Sequence, residues 1–157
     1  MTNTFGAEKV RDGVLLVGRI LLMLLFVVFG WQKLTGFGGT VSYFSQTGVP
    51  VPALAAVIAV IMEFFVGLAI VLGLLTRPLA LIMALYTLGT GLIGHHYWSL
   101  SGMARTEAEI NFFKNISIIG GLLLLYLTGA GRYSVDAKLS LADSDTVFAV
   151  PAKPPLR

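Results

Sequence analysis

Between Val51 and Leu75 the chain carries one charged side chain, the carboxylate of Glu63, in an otherwise apolar run. At ~1.5 Å per residue, a helix of this length crosses a hydrocarbon layer of roughly 30 Å. An ionised carboxylate at that depth costs at least ~2.5 kcal/mol on insertion scales, so it must face inward, take a partner or stay protonated. What Glu63 faces is therefore the constraint on everything else the chain folds into.

The rest of the sequence agrees with a membrane setting. Of its 157 residues 56% are hydrophobic and 12% charged, and its mean hydropathy is +0.85, which excludes an ordinary soluble globule. The length suits one domain. A net charge of +3 does not point to nucleic acid, because the 11 Lys and Arg are scattered along an apolar chain. The absence of cysteine excludes disulfide exchange, thiolate metal sites and iron-sulfur clusters within this chain.

Four apolar segments, about Gly13 to Leu34, Pro52 to Leu75, Pro78 to Trp98 and Ile110 to Thr128, each approach the length of a spanning helix. The expected fold is all-α, a four-helix transmembrane bundle over residues 13–139. A short N-terminal segment, 1–12, precedes it, and a Pro-containing tail, 140–157, is expected to be disordered. The first apolar segment is too long for the h-region of a cleaved signal peptide and reads as a retained helix. Thr76-Arg77-Pro78 joins the second and third segments as a tight hairpin. Lys9, Arg11, Arg77, Arg132 and Lys138 fall on the side of the termini, against Lys33, Arg105 and Lys114 on the other, so both termini are expected to be cytoplasmic. Residues 35–51 read as a short interfacial helix or partly re-entrant turn, and Ser99 to Glu109 as a polar loop.

Helical periodicity turns the polar residues of the spans toward one another. Glu63 shares a stripe with Ala56, Ala59 and Gly67, small residues that permit close helix approach. With each segment's midpoint at the bilayer centre, Arg19 lies roughly 7 to 8 Å to one side of Glu63 and Lys114 and His95 roughly 9 to 10 Å to the other. Arg19 is the preferred partner, as an ion pair or proton relay, because its fork takes a carboxylate bidentately; Lys114 is the alternative. A pair that merely locks two helices is the plainer reading. His95, Asn111, Lys114 and Asn115, with Gln32 and Lys33, form an outer polar layer. Near a helix end, Lys33 and Trp31 read more readily as anchors, and His95 beside Tyr97 and Trp98 also suits an aromatic belt.

Haem and zinc fit poorly, since the two histidines are adjacent and Glu63 lies roughly 10 Å from His95 by helix rise. No intrinsic metal or cofactor is expected. A quinone or similar small apolar ligand fits better, in a pocket walled by Trp31 and other aromatics with donors from His95, Asn111 and Lys114.

The residues also resemble the DoxX family of small four-helix bacterial membrane proteins. The match runs through Arg19 and Gly30-Trp31-Gln32-Lys33, Gly48-Val49-Pro50, Glu63 with Gly67-Leu68, and Gly73 to Pro78. It continues through His95, Lys114-Asn115, Gly120-Gly121-Leu122, and Gly129, Gly131, Ser134 and Asp136. The resemblance implies a redox-associated subunit of the bacterial inner membrane that binds quinone or docks a membrane or peripheral oxidoreductase partner. A small-solute or proton-coupled transporter using Glu63, and a ligand-free assembly subunit, are the alternatives; a homo-oligomer is left open, and nucleic acid is not an expected partner.

Overall fold

The computed structural model describes residues 4–139; the tail 140–157, expected to be disordered, lies outside the described residues, as do residues 1–3. Four helices are long and apolar enough to span a membrane: α1 (Thr4–Thr35), α3 (Pro52–Leu72), α4 (Thr76–Gly94) and α5 (Gly102–Thr128). Among the described residues two shorter α-helices accompany them, α2 (Phe37–Gln46) after α1 and α6 (Val135–Lys138) after α5, with a single 3-10 turn at Tyr97–Ser99 between α4 and α5. α1 takes in the described part of the segment expected to stand apart before Gly13. α5 starts at Gly102 rather than Ile110, so most of the expected Ser99–Glu109 loop is helix.

Local chemistry sets the boundaries. Pro52 opens α3, where its missing N–H would be unpaired in any case. Gly73, at φ +74, ends α3 in the left-handed conformation that glycine adopts without strain, with the Leu74 N–H returning to Ala69 O at 2.9 Å. Leu75 is also left-handed, at φ +47, which costs a residue with a Cβ. The Asp136 carboxylate holds it there, accepting from the N–H groups of Leu75 at 2.7 Å and Thr76 at 2.9 Å and so capping α4.

α1 packs along α3 and α4 along α5, and the two pairs meet over Met23, Phe26, Ile70, Met83 and Leu122. Leu21, Leu85 and Leu124, each more than three-fifths exposed, ring the outside as lipid requires. Both ends of the described chain lie at one end of the bundle, where the Arg132 N–H reaches Asp12 Oδ1 at 3.4 Å. We call this the termini end, and the opposite one, covered by α2, the α2 end.

Candidate functional site

Glu63 is buried, and it has two partners. Lys33 Nζ donates to its Oε2 at 2.6 Å and Tyr86 Oη to its Oε1 at 2.8 Å. The carboxylate thus joins α1, α3 and α4 at one point. The Lys33 and Glu63 side chains are 23% and 11% exposed, so the pair sits in a mostly desolvated position. Lys33 also lies 5.8 Å from the centre of the Phe29 ring.

The expected Arg19–Glu63 pair is not formed, and the reason is directional. Side chains on a helix lean toward its N-terminus. Arg19 on α1 therefore leans to the termini end, away from Glu63, while Lys33 leans in from the α2 end and Glu63, on an antiparallel helix, leans out to meet it. Arg19 is 2% exposed and spends its guanidinium on backbone carbonyls instead: Nε on Val71 O at 3.0 Å, Nη1 on Ala130 O at 2.6 Å and Nη2 on Tyr133 O at 2.9 Å. It fastens the end of α3 to the turn that follows α5.

Two local features let Lys33 reach. From Ile61 to Val66 the middle of α3 is wound as a π-helix, a local widening that re-aims side chains. Gly30, one turn before Lys33, lies against this stretch so closely that a Cβ there would stand 2.5 Å from Phe64 N and 2.8 Å from Glu63 C. Only glycine fits.

Above this junction lies a cleft of about 440 Å³ between the outer halves of α3 and α4, covered by α2. Lys33, Glu63 and Tyr86 form its base; Ala55, Ile58 and Ala59 line one wall, Gly89, Thr90, Ile93 and His95 the other, and Tyr43, Phe44 and Thr47 the cover. Ile58 and Ile93 at its edges are 44% and 52% exposed.

Of the residues singled out from sequence, the cleft contains Lys33, Glu63 and His95. Lys114 leans toward the α2 end and donates to Asn111 Oδ1 at 2.7 Å, outside the cleft lining. Asn115 packs between α5 and α4 beside Gly91, its amide 3.5 Å from Thr87 O and Thr90 Oγ1. Trp31 is 54% exposed and packs against Phe64 at a tilt of 44°, with ring centres 5.5 Å apart. The expected outer layer is therefore split between a cleft and a helix surface. Tyr86 was missed, although a phenol in mid-span is itself a signal, because a buried hydroxyl there needs an acceptor.

The DoxX family model matches residues 14–96, a stretch that includes Arg19, Lys33, Glu63, Tyr86 and His95. The chain belongs to the DoxX family. It is 51% identical to inner membrane protein YphA of Escherichia coli strain K12 over 85% of this chain and 94% of that one. It is 44% identical to inner membrane protein YqjF of the same organism over 85% and 97%. It is also 28% identical to the ER-derived vesicles protein ERV29 of Saccharomyces cerevisiae, over 83% of this chain and 35% of the yeast protein. No solved structure matches. This DoxX protein is accordingly a multi-pass protein of the inner membrane, and the family model covers Arg19 and the whole cleft lining, while two of the carbonyls that Arg19 holds, those of Ala130 and Tyr133, lie beyond it.

Proposed function

We propose that this DoxX protein binds a lipid-soluble ligand with a polar ring head, of the quinone class, in the cleft at the α2 end. It does so as the membrane subunit of a redox system with its termini in the cytoplasm. The observation that carries this reading is the Lys33–Glu63–Tyr86 junction at the base of a largely apolar cleft whose edges, Ile58 and Ile93, face the bilayer. A ligand dissolved in the membrane can enter there without crossing water.

The residues present fit such a head group. The Lys33 ammonium spends one N–H on Glu63 and has two left for a ring carbonyl, the Tyr86 and Thr90 hydroxyls, whose protons go to Glu63 and Thr87 O, offer oxygen lone pairs to the hydroxyls of a reduced ring, and Ala55, Ala59 and Gly89 leave room for a flat ring. A quinone supplies two-electron, two-proton chemistry when bound. The chain supplies orientation through these donors and, in Glu63 and Tyr86, groups able to hold a proton at the base. With no cysteine of its own, it would take its electrons from an oxidoreductase partner.

The test is titration of the purified full chain in detergent with a short-tailed quinone, read by quenching of tryptophan fluorescence. Saturable binding, weakened about tenfold by Lys33→Met through loss of a hydrogen-bond donor in a desolvated site, is the expected result. Gly89→Leu puts a side chain into the cleft from a position where a Cβ meets nothing within 4 Å; it should abolish binding while the helical circular dichroism stays that of the wild-type chain. Absence of saturable binding by the wild-type chain would overturn the proposal and favour transport or assembly. Uptake in proteoliposomes lost in Glu63→Gln would then identify transport.

A further inference from the structure

A second cavity, of about 300 Å³, opens at the termini end, between the start of α4 and the end of α5. It shares no residue with the cleft. Because α4 begins and α5 ends there, the cavity lies at the level of the lipid head groups. Arg11, Arg77 and Arg132 line it together with Asp12 and Asp136. Both carboxylates are committed within the protein, Asp136 to the N–H groups that open α4 and Asp12 to Arg132 N and, at 3.7 Å, to Arg11. The three guanidiniums leave a net positive lining. Thr76 belongs to the same wall; it is fully buried, and its hydroxyl has no hydrogen-bond partner among the described residues. A buried, unpaired hydroxyl is costly and calls for a partner from outside.

We propose that this cavity is a binding site for a phosphate group, and that its position at the head-group level makes an anionic phospholipid the source. Arginine suits this ligand because its planar fork pairs two phosphate oxygens at once. The site is separate from the quinone reading and does not depend on it.

The test uses the full chain, delipidated in neutral detergent, with binding followed by native mass spectrometry. Phosphatidylglycerol, phosphatidylcholine and inorganic phosphate are the probes. Saturable binding of phosphatidylglycerol, not matched by phosphatidylcholine, is expected. Arg132→Gln and Thr76→Val should each weaken it, the former by about tenfold, as loss of one charge-assisted pair does. Lys138→Gln, an exposed basic residue outside the cavity, should leave it unchanged. Displacement of the lipid by millimolar inorganic phosphate would support the site and assign it to free phosphate. Equal binding of the two lipids, equal loss in Lys138→Gln and Arg132→Gln, or no loss in Arg132→Gln would overturn the proposal.

Discussion

The Lys33–Glu63 pair allows a double-mutant cycle whose outcome differs sharply between competing pairings. Removing one member of a buried ion pair costs about 3–5 kcal/mol, because a charge is left without a partner, whereas removing both is often near neutral. Lys33 keeps 23% of its side chain exposed and can partly re-solvate when alone. Lys33→Met and Glu63→Gln should therefore each cost about 2–3 kcal/mol. The double variant should fall short of their sum by about 2 kcal/mol. Reversible unfolding in mixed micelles, followed by helical circular dichroism, measures all four corners. A parallel cycle between Arg19→Lys and Glu63→Gln should be additive within about 0.5 kcal/mol, since the two residues share no partner. Coupling in the Arg19 cycle with additivity in the Lys33 cycle would refute the pairing.

Three further perturbations test the supports of the fold. Arg19→Lys keeps the charge but cannot reach the three carbonyls that the guanidinium bridges; it should destabilise by about 3 kcal/mol in the same unfolding assay. Gly30→Ala must push α1 away from the Glu63–Phe64 backbone, and overpacking of this kind costs about 1–3 kcal/mol. It should also weaken ligand binding in the cleft. Asp136→Asn should cost about 1 kcal/mol as the α4 cap weakens, with faster hydrogen exchange at the amides of Leu75 and Thr76 as the local reading.

The four spans were legible because lipid imposes length and apolarity so strictly that little else satisfies them. Glu63 was legible as a residue in need of a partner for the same reason. Its partner was not, since placing residues by helix rise alone treats side chains as pointing sideways. Arg19 and Lys33 both stand on α1, on opposite sides of Glu63; the lean of side chains toward the helix N-terminus carries the first away and brings the second in. Lys33 looked like an anchor because its Cα is near the helix end, while its ammonium reaches back inside. The start of α5 was hidden by Arg105, Glu107 and Glu109, charges that end an apolar run without ending a helix. Asp136 as the cap of α4 depends on a contact between residues far apart in sequence, which no local pattern encodes.

Of the residues that carry the family resemblance, Gly67, Gly121 and Leu122 pack in the middle of the bundle and others gather at its two ends, where the division has a physical sense. At the termini end, Arg19, Gly73, Ser134 and Asp136 interlock. A Cβ on Gly73 would collide with the Ser134 side chain and stand 2.9 Å from Arg19 Nη1, and the Asp136 N–H donates to Gly73 O at 2.8 Å. These contacts tie α3, α4 and the chain after α5 into one knot, so α3 and α4 are held where they join and separate toward the other end. The separation is what makes the cleft. There the helices are bridged by side chains, Lys33, Glu63 and Tyr86, and covered by α2, which has no buried residue of its own. Loss of a tie at the termini end should therefore appear first as lost stability. A change that fills the open end, such as Gly89→Leu, should appear as lost binding in a folded protein. An ordering of variants in which the two effects could not be separated would show that the knot and the cleft are not the distinct parts that their contacts describe.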